Sequence, residues 1–85
     1  MSSKVIVTWA SVGDKMDNSE FIAERGEKMH QMHSSGKTNG YVINPISSPR
    51  AVLTFNTQTD AEEWKTFIEA LAIKYNKTIE SIVIE

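Results

Sequence analysis

Apolar and polar positions alternate in the first part of the chain, then take helical spacing, alternate through two further runs, return to helical spacing and finally alternate again. That order predicts strand, helix, strand, strand, helix, strand. Lys4 to Ala10 opens the series with β-branched and aromatic residues over the length of one strand. Val5, Val7 and Trp9 share one face, and Ile6, Thr8 and Ala10 share the other, so the strand is expected to lie inside a sheet. Ser11 to Asp17 reads as a connecting loop, with Gly13 and Asp14 supplying turn chemistry.

A helix is expected from Asn18 or Ser19, because both are good caps and Glu20 and Glu24 put negative charge near the positive end of the dipole. Ile22, Met29 and His33 recur at helical spacing, with Phe21, Gly26 and Met32 beside them. Gly26 is read as a point of close backbone approach, and Glu24 and Lys28, four apart, as a pair on the outer face. Ser34, Ser35 and Gly36 end this helix, Gly36 in the left-handed conformation. A hairpin follows over Thr38 to Phe55, with Tyr41 to Asn44 running up, Asn44 to Arg50 as a connection stiffened by Pro45 and Pro49, and Ala51 to Phe55 returning inside the sheet.

The second helix has the clearest pattern. Thr59-Asp60-Ala61-Glu62 fits a capping box. Ala61, Trp64, Ile68, Leu71 and Tyr75, flanked by Phe67, form one apolar stripe, and Asn76 is a suitable left-handed stop. Thr78 to Glu85 is the last strand, with Glu80 and Glu85 discouraging edge-to-edge pairing. Right-handed crossovers then leave a ferredoxin-like α+β sandwich as a single domain over residues 1–85: a four-stranded antiparallel sheet, first and third strands central, two helices on one face. The opposite face would be bare. It would carry Ile6, Thr8, Val52 and Thr54, with Ala10 and Val42 as neighbours, a surface suited to a second copy or another partner.

The 85 residues suffice for one core, 40% of them hydrophobic and 24% charged. A domain this small gains from pairing. No cysteine is present, which excludes disulfides, thiolate metal sites and thiol nucleophiles. A net charge of -2 argues against a dedicated non-specific DNA binder. The Met-Ser-Ser-Lys start lacks the apolar stretch of a signal peptide and no run approaches a membrane span, so a cytoplasmic location is expected.

Gly40-Tyr41-Val42-Ile43, then Ala51-Val52-Leu53-Thr54-Phe55, then Asp60-Ala61-Glu62-Glu63-Trp64 resemble the strand, turn, aromatic-ended strand and acidic helix start of the dimeric α+β barrel superfamily. The resemblance implies sheet-to-sheet pairing around a cavity, and, in some members, cofactor-independent oxygenation or haem breakdown. The haem-degrading members combine an asparagine, a tryptophan and a helix-borne histidine. Both histidines here fall on the first helix and the first strand has no asparagine, so that activity is not implied. An acylphosphatase would need an arginine-bearing glycine-rich loop after the first strand, and an RNA-recognition motif would want a ring where Val52 stands.

Local chemistry is sparse. In Met29-His30-Gln31-Met32-His33 the methionines are read as core, His30 as solvated and His33 as a dipole partner at the helix end, so no metal is expected. Trp64 is read as core. Trp9, near a strand end, is left open as either core or a partly exposed functional residue, and Trp9, Thr8 and Tyr41 would line the cavity if the chain paired as a barrel-type enzyme or ligand binder. Lys37, Asn44 to Arg50 and Ser11 to Asp17 are expected to form a docking tip, with Lys37 and Arg50 its cations. The expected function is a small non-catalytic binding or regulatory module without cofactor, homodimeric and acting on a protein partner. A cofactor-independent enzyme or small-ligand binder, and an RNA-backbone-binding accessory protein, are the alternatives.

Overall fold

The computed structural model describes residues 2–42 and 47–85, and the side chains of all of these except 39–42. Its elements in chain order are β1 (Ser3–Trp9), α1 (Val12–Met16), α2 (Ser19–Ser34), β2 (Thr38–Val42), β3 (Arg50–Phe55), α3 (Gln58–Lys74) and β4 (Ile79–Ile84). This is an α+β domain with an antiparallel sheet in the order β2-β3-β1-β4. Val5 pairs with Leu53 on one side and with Ile84 on the other, which makes β1 an interior strand. The ladder slips between Thr8 and Trp9 against β4, and between Thr38 and Gly40 against β3. Ile43, Asn44, Pro45 and Ile46, which span the end of the expected strand and the start of the expected hairpin connection, lie outside the described residues.

Ser11 to Asp17 is not the expected loop. Ser11 takes an extended conformation, its side chain accepts from the Asp14 amide at 3.1 Å, and a short helix closes with the Asp17 amide donating to Gly13 at 2.8 Å. The serine is a helix cap, a role that Gly13 and Asp14 obscured in the sequence. Asn18 caps α2: its Oδ1 accepts from the amides of Glu20 at 2.9 Å and Phe21 at 3.3 Å. It does so at φ 82°, in the left-handed region where asparagine is tolerated best after glycine. The second cap differs from its sequence pattern. Thr57, not Thr59, accepts the Asp60 amide at 3.1 Å, so α3 starts two residues before the expected capping box.

The two long helices end alike. Gly36 at φ 74° lets the Lys37 amide reach the Met32 carbonyl at 2.8 Å, and Asn76 at φ 56° lets the Lys77 amide reach Ala72 at 2.7 Å. These six-to-one bonds close the helices as Schellman turns and aim the chain back toward the sheet.

Strand alternation decides where the core lies. Val5, Val7 and Trp9 of β1 and Leu53 and Phe55 of β3 are buried with Phe21 and Met32 of α2 and Ala61, Trp64, Ile68, Leu71 and Ala72 of α3. Both long helices therefore contribute to the cluster on one face of the sheet. Aromatic edges organise it: Trp9 meets Phe21 at 5.5 Å and 88°, and Phe21 meets Tyr75 at 5.8 Å. Each such pair adds about 0.5–1.5 kcal/mol beyond its buried area.

Polar contacts tie α2 to α3. Lys28 pairs with Glu63 at 2.9 Å, Lys74 pairs with Glu24 at 2.9 Å, and the Tyr75 hydroxyl donates to Glu24. The expected Glu24 to Lys28 pair along α2 gives way to these links between helices, because each cation reaches a carboxylate on the facing helix. Lys37 also reaches Glu63, at 2.8 Å. Hydrogen bonds from Tyr75 and Lys74 hold the Glu24 carboxyl below its ordinary pKa, and those from Lys37 and Lys28 do the same for Glu63.

A carboxylate whose folded pKa is depressed stabilises the fold above its unfolded pKa and loses that contribution as pH falls through the folded value. Unfolding midpoints in urea are therefore expected to fall on acidification below about pH 5. The Glu24→Gln, Glu63→Gln double variant should show a shallower acid slope. Thr57→Ala is expected to cost about 1 kcal/mol, and Thr59→Ala only a few tenths. Equilibrium unfolding of the two variants checks the cap position.

Candidate functional sites on the two faces of the sheet

The face turned away from the helices is built by the ladder. Val52 stands opposite Ile6, Ile6 opposite Val83, and Val42 occupies the register position beyond Val52. A row of β-branched positions thus crosses all four strands. Thr54 lies opposite Lys4 in one flanking row, and Arg50, Thr8 and Ser81 stand in line in the other. Val83 is 47% exposed, Ile6, Thr8 and Thr54 are half-buried, and Val52 at the centre keeps only 9% of its surface. Val52 is the most buried of these described residues. Val83 is the most exposed apolar member, and sequence reasoning missed it because only strand pairing reveals which β4 residues share a face with Ile6.

Of the two readings of Trp9, its burial fits the core one. Trp9 is 1% exposed and lies among Val5, Val7 and Phe21, on the face opposite Thr8. Strand alternation forbids Trp9 and Thr8 from lining one cavity. Tyr41 pairs with Leu53 in the ladder, a register position opposite in parity to Thr8, and its side chain lies outside the described ones.

The expected tip is divided as well. Arg50 begins β3, whereas Lys37 lies beside Asn56 at the other end, its carbonyl accepting the Asn56 amide at 3.0 Å. Lys37 and Arg50 therefore flank opposite ends of the sheet. Lys37 is held by Glu63, which raises its pKa. His30 and His33 are exposed, and no metal-binding cluster of His, Asp or Glu occurs among the described residues.

A second site lies on the helix-covered side. A cavity of about 240 Å³ opens between α2 and the sheet, walled by Val7, Trp9, Ile22, Met29, Leu53 and Ile68. Trp64 and Ala51 also border it. Two cations stand at its lining, Lys15 and Arg25. Lys15 is buried at 6% exposure, and its ammonium donates to the carbonyls of Ser48 at 2.7 Å and Arg50 at 2.8 Å. These bonds fasten α1 to the start of β3. Burial, and then the charge of Arg25, lower the Lys15 pKa.

Arg25 reaches across from α2, donating from Nη1 to the Lys15 carbonyl at 2.8 Å, with Nη2 3.7 Å from the Met16 sulfur. Its guanidinium lies 5.0 Å from the centre of the Phe21 ring. Burial lowers its pKa. Trp9 completes the polar inventory, since its buried Nε1 has no hydrogen-bond partner among the described residues. Lys15 and Arg25 were not singled out in the sequence, because a lone lysine in an apparent loop and an arginine on a helix carry no local sign of burial.

Gly26 also borders the cavity, and an added Cβ there would meet nothing within 4 Å. The expected close approach is absent; the glycine leaves space unfilled. No protein-family model matches the chain, and comparison with curated proteins and with solved structures gives no match. Among the described residues no helix is long and apolar enough to cross a membrane.

Gly26→Ala is expected to stabilise the protein by about 1 kcal/mol, from helix propensity without a clash. Urea unfolding of the variant against the parent checks this.

Proposed function

We propose that the protein is a small non-catalytic binding module of the ferredoxin-like arrangement, and that its first partner is a second copy of itself, docked sheet face to sheet face. The strand order β2-β3-β1-β4 with all pairs antiparallel supports the arrangement. The observation that carries the pairing is the row of Val52, Ile6 and Val83 across the uncovered face, set between threonine and serine hydroxyls. A patch of this kind is uncharged at its centre, so it complements itself. Lys4 and Arg50 belong to its flanking rows, where solvent reaches them.

Geometry also bounds the strength of the pairing. Strands about 4.8 Å apart and residues rising about 3.3 Å each give a four-stranded face roughly 20 Å on a side. Such a footprint, about 400 Å² per partner, falls below the usual size of specific interfaces, so the expected dimer is weak and reversible. Pairing of this kind also agrees with the sheet-to-sheet association implied by the resemblance to the dimeric α+β barrels. It leaves the helices and the α1 end of the sheet free to carry a regulated macromolecule.

Light scattering from low to high micromolar concentration is expected to show the mass rising from one chain toward two. Val83→Lys should hold it at one chain, with an unchanged circular-dichroism spectrum. A single-chain mass throughout for the parent protein, or dimerisation of Val83→Lys equal to that of the parent, overturns the reading.

A further inference from the structure

We infer that the cavity between α2 and the helix-covered face of the sheet binds a small amphipathic carboxylate, its apolar body among Val7, Ile22, Met29 and Ile68 and its charge at the Arg25 guanidinium. This site lies across the sheet from the self-association face and does not depend on it.

Four observations converge. The first is an unfilled apolar volume of about 240 Å³ in a very small domain. Half open to solvent, an apolar recess forfeits the contacts that a bound apolar body would make with its walls. A body of two fused aromatic rings or a branched aliphatic chain restores them.

The second is charge. Lys15 and Arg25 both border the cavity, and among the described residues no carboxylate does. Glu24 and Glu63, the carboxylates that pair the neighbouring helices, are taken by Lys74 and Tyr75 and by Lys28 and Lys37. Arg25 spends one nitrogen on the Lys15 carbonyl and turns another toward a thioether, a weak acceptor. A guanidinium presents five donors in a fork that matches a carboxylate with two parallel bonds. Partly buried and without a described carboxylate partner, it favours an anion over a neutral molecule of equal size.

The third observation is the Trp9 indole N–H, 1% exposed as a residue and without an acceptor among the described residues. A buried donor left unpaired is a cost that the fold normally avoids. Trp9 borders the cavity, so a ligand bound there packs against its indole ring and is read by its N–H signal. The fourth is Gly26. Glycine in the interior of α2 weakens the helix, and no backbone approach requires it. Its one structural consequence is room on the cavity wall.

The test uses the whole chain, isotopically labelled, titrated with 2-naphthoate and, separately, with the neutral 2-naphthamide. The chain has 2 tryptophans, so two indole signals report, and Trp9→Phe assigns them. Naphthoate is expected to move the Trp9 indole signal saturably, with the amide binding at least about tenfold more weakly. Arg25→Gln should bring the two ligands to equal affinity.

Gly26→Leu should abolish the saturable shift while the spectrum stays dispersed. Should that variant fail to fold, Gly26→Ala serves, with affinity for naphthoate expected to fall several-fold. Equal affinity of acid and amide for the parent protein overturns the inference. So do unsaturable shifts spread over the whole spectrum, or unchanged binding by the folded glycine variant.

Discussion

Two long helices cover one face of a four-stranded antiparallel sheet and leave the other uncovered. Everything else in this molecule follows from that coverage. On the covered side, burial is nearly complete at Val5, Phe21, Phe55 and Ala61, each at 0% exposure, which is how so short a chain assembles a core at all. On the other side the same strands offer Ile6, Thr8, Val52, Thr54 and Val83. The two faces are made by alternate residues of the same strands, so neither can change without a register slip that would exchange both.

The covered side is held by two different kinds of contact. Apolar burial and aromatic edges join the helices to the sheet, while the ion pairs of Glu24 and Glu63 set α2 against α3. The ion pairs are partly exposed and modest in energy, and their value is in fixing how the helices sit. Near α1 a buried lysine and a half-buried arginine border the apolar packing. Lys15 is tolerated there because two backbone carbonyls receive its ammonium. Arg25 is tolerated because a carbonyl and the Phe21 ring receive its guanidinium. An unfilled cavity bordered by cations is therefore a product of how α1 and α2 meet.

Much of the architecture was legible in the chain. The 2.0 and 3.6 periods placed the strands and both long helices, and the caps at Asn18, Gly36 and Asn76 hold in the structure because each depends on a single residue's backbone freedom. Less legible were features where local signals competed. Ser11 caps a short helix although the segment after it looks like a turn, and Thr57 displaces Thr59 because an extended residue there lets its hydroxyl reach Asp60. Gly26 shows the reverse problem: the sequence marks an exception to helix propensity but cannot say whether space or contact explains it.

The sequence by itself determined which residues alternate and which repeat on a helix face, hence the α+β class and the identity of most of the core. It also determined that Ile6, Thr8 and Thr54 stand apart from Val5, Val7 and Phe55, because strand parity is a local property. Only the tertiary structure decided that Val83 joins Ile6, that Trp9 is buried against Phe21, that Lys37 and Arg50 stand at opposite ends of the sheet, and that Lys15 and Arg25 meet at a cavity. Each of those depends on pairing between segments far apart in the chain. Periodicity carries information about direction from the backbone, but not about what lies there.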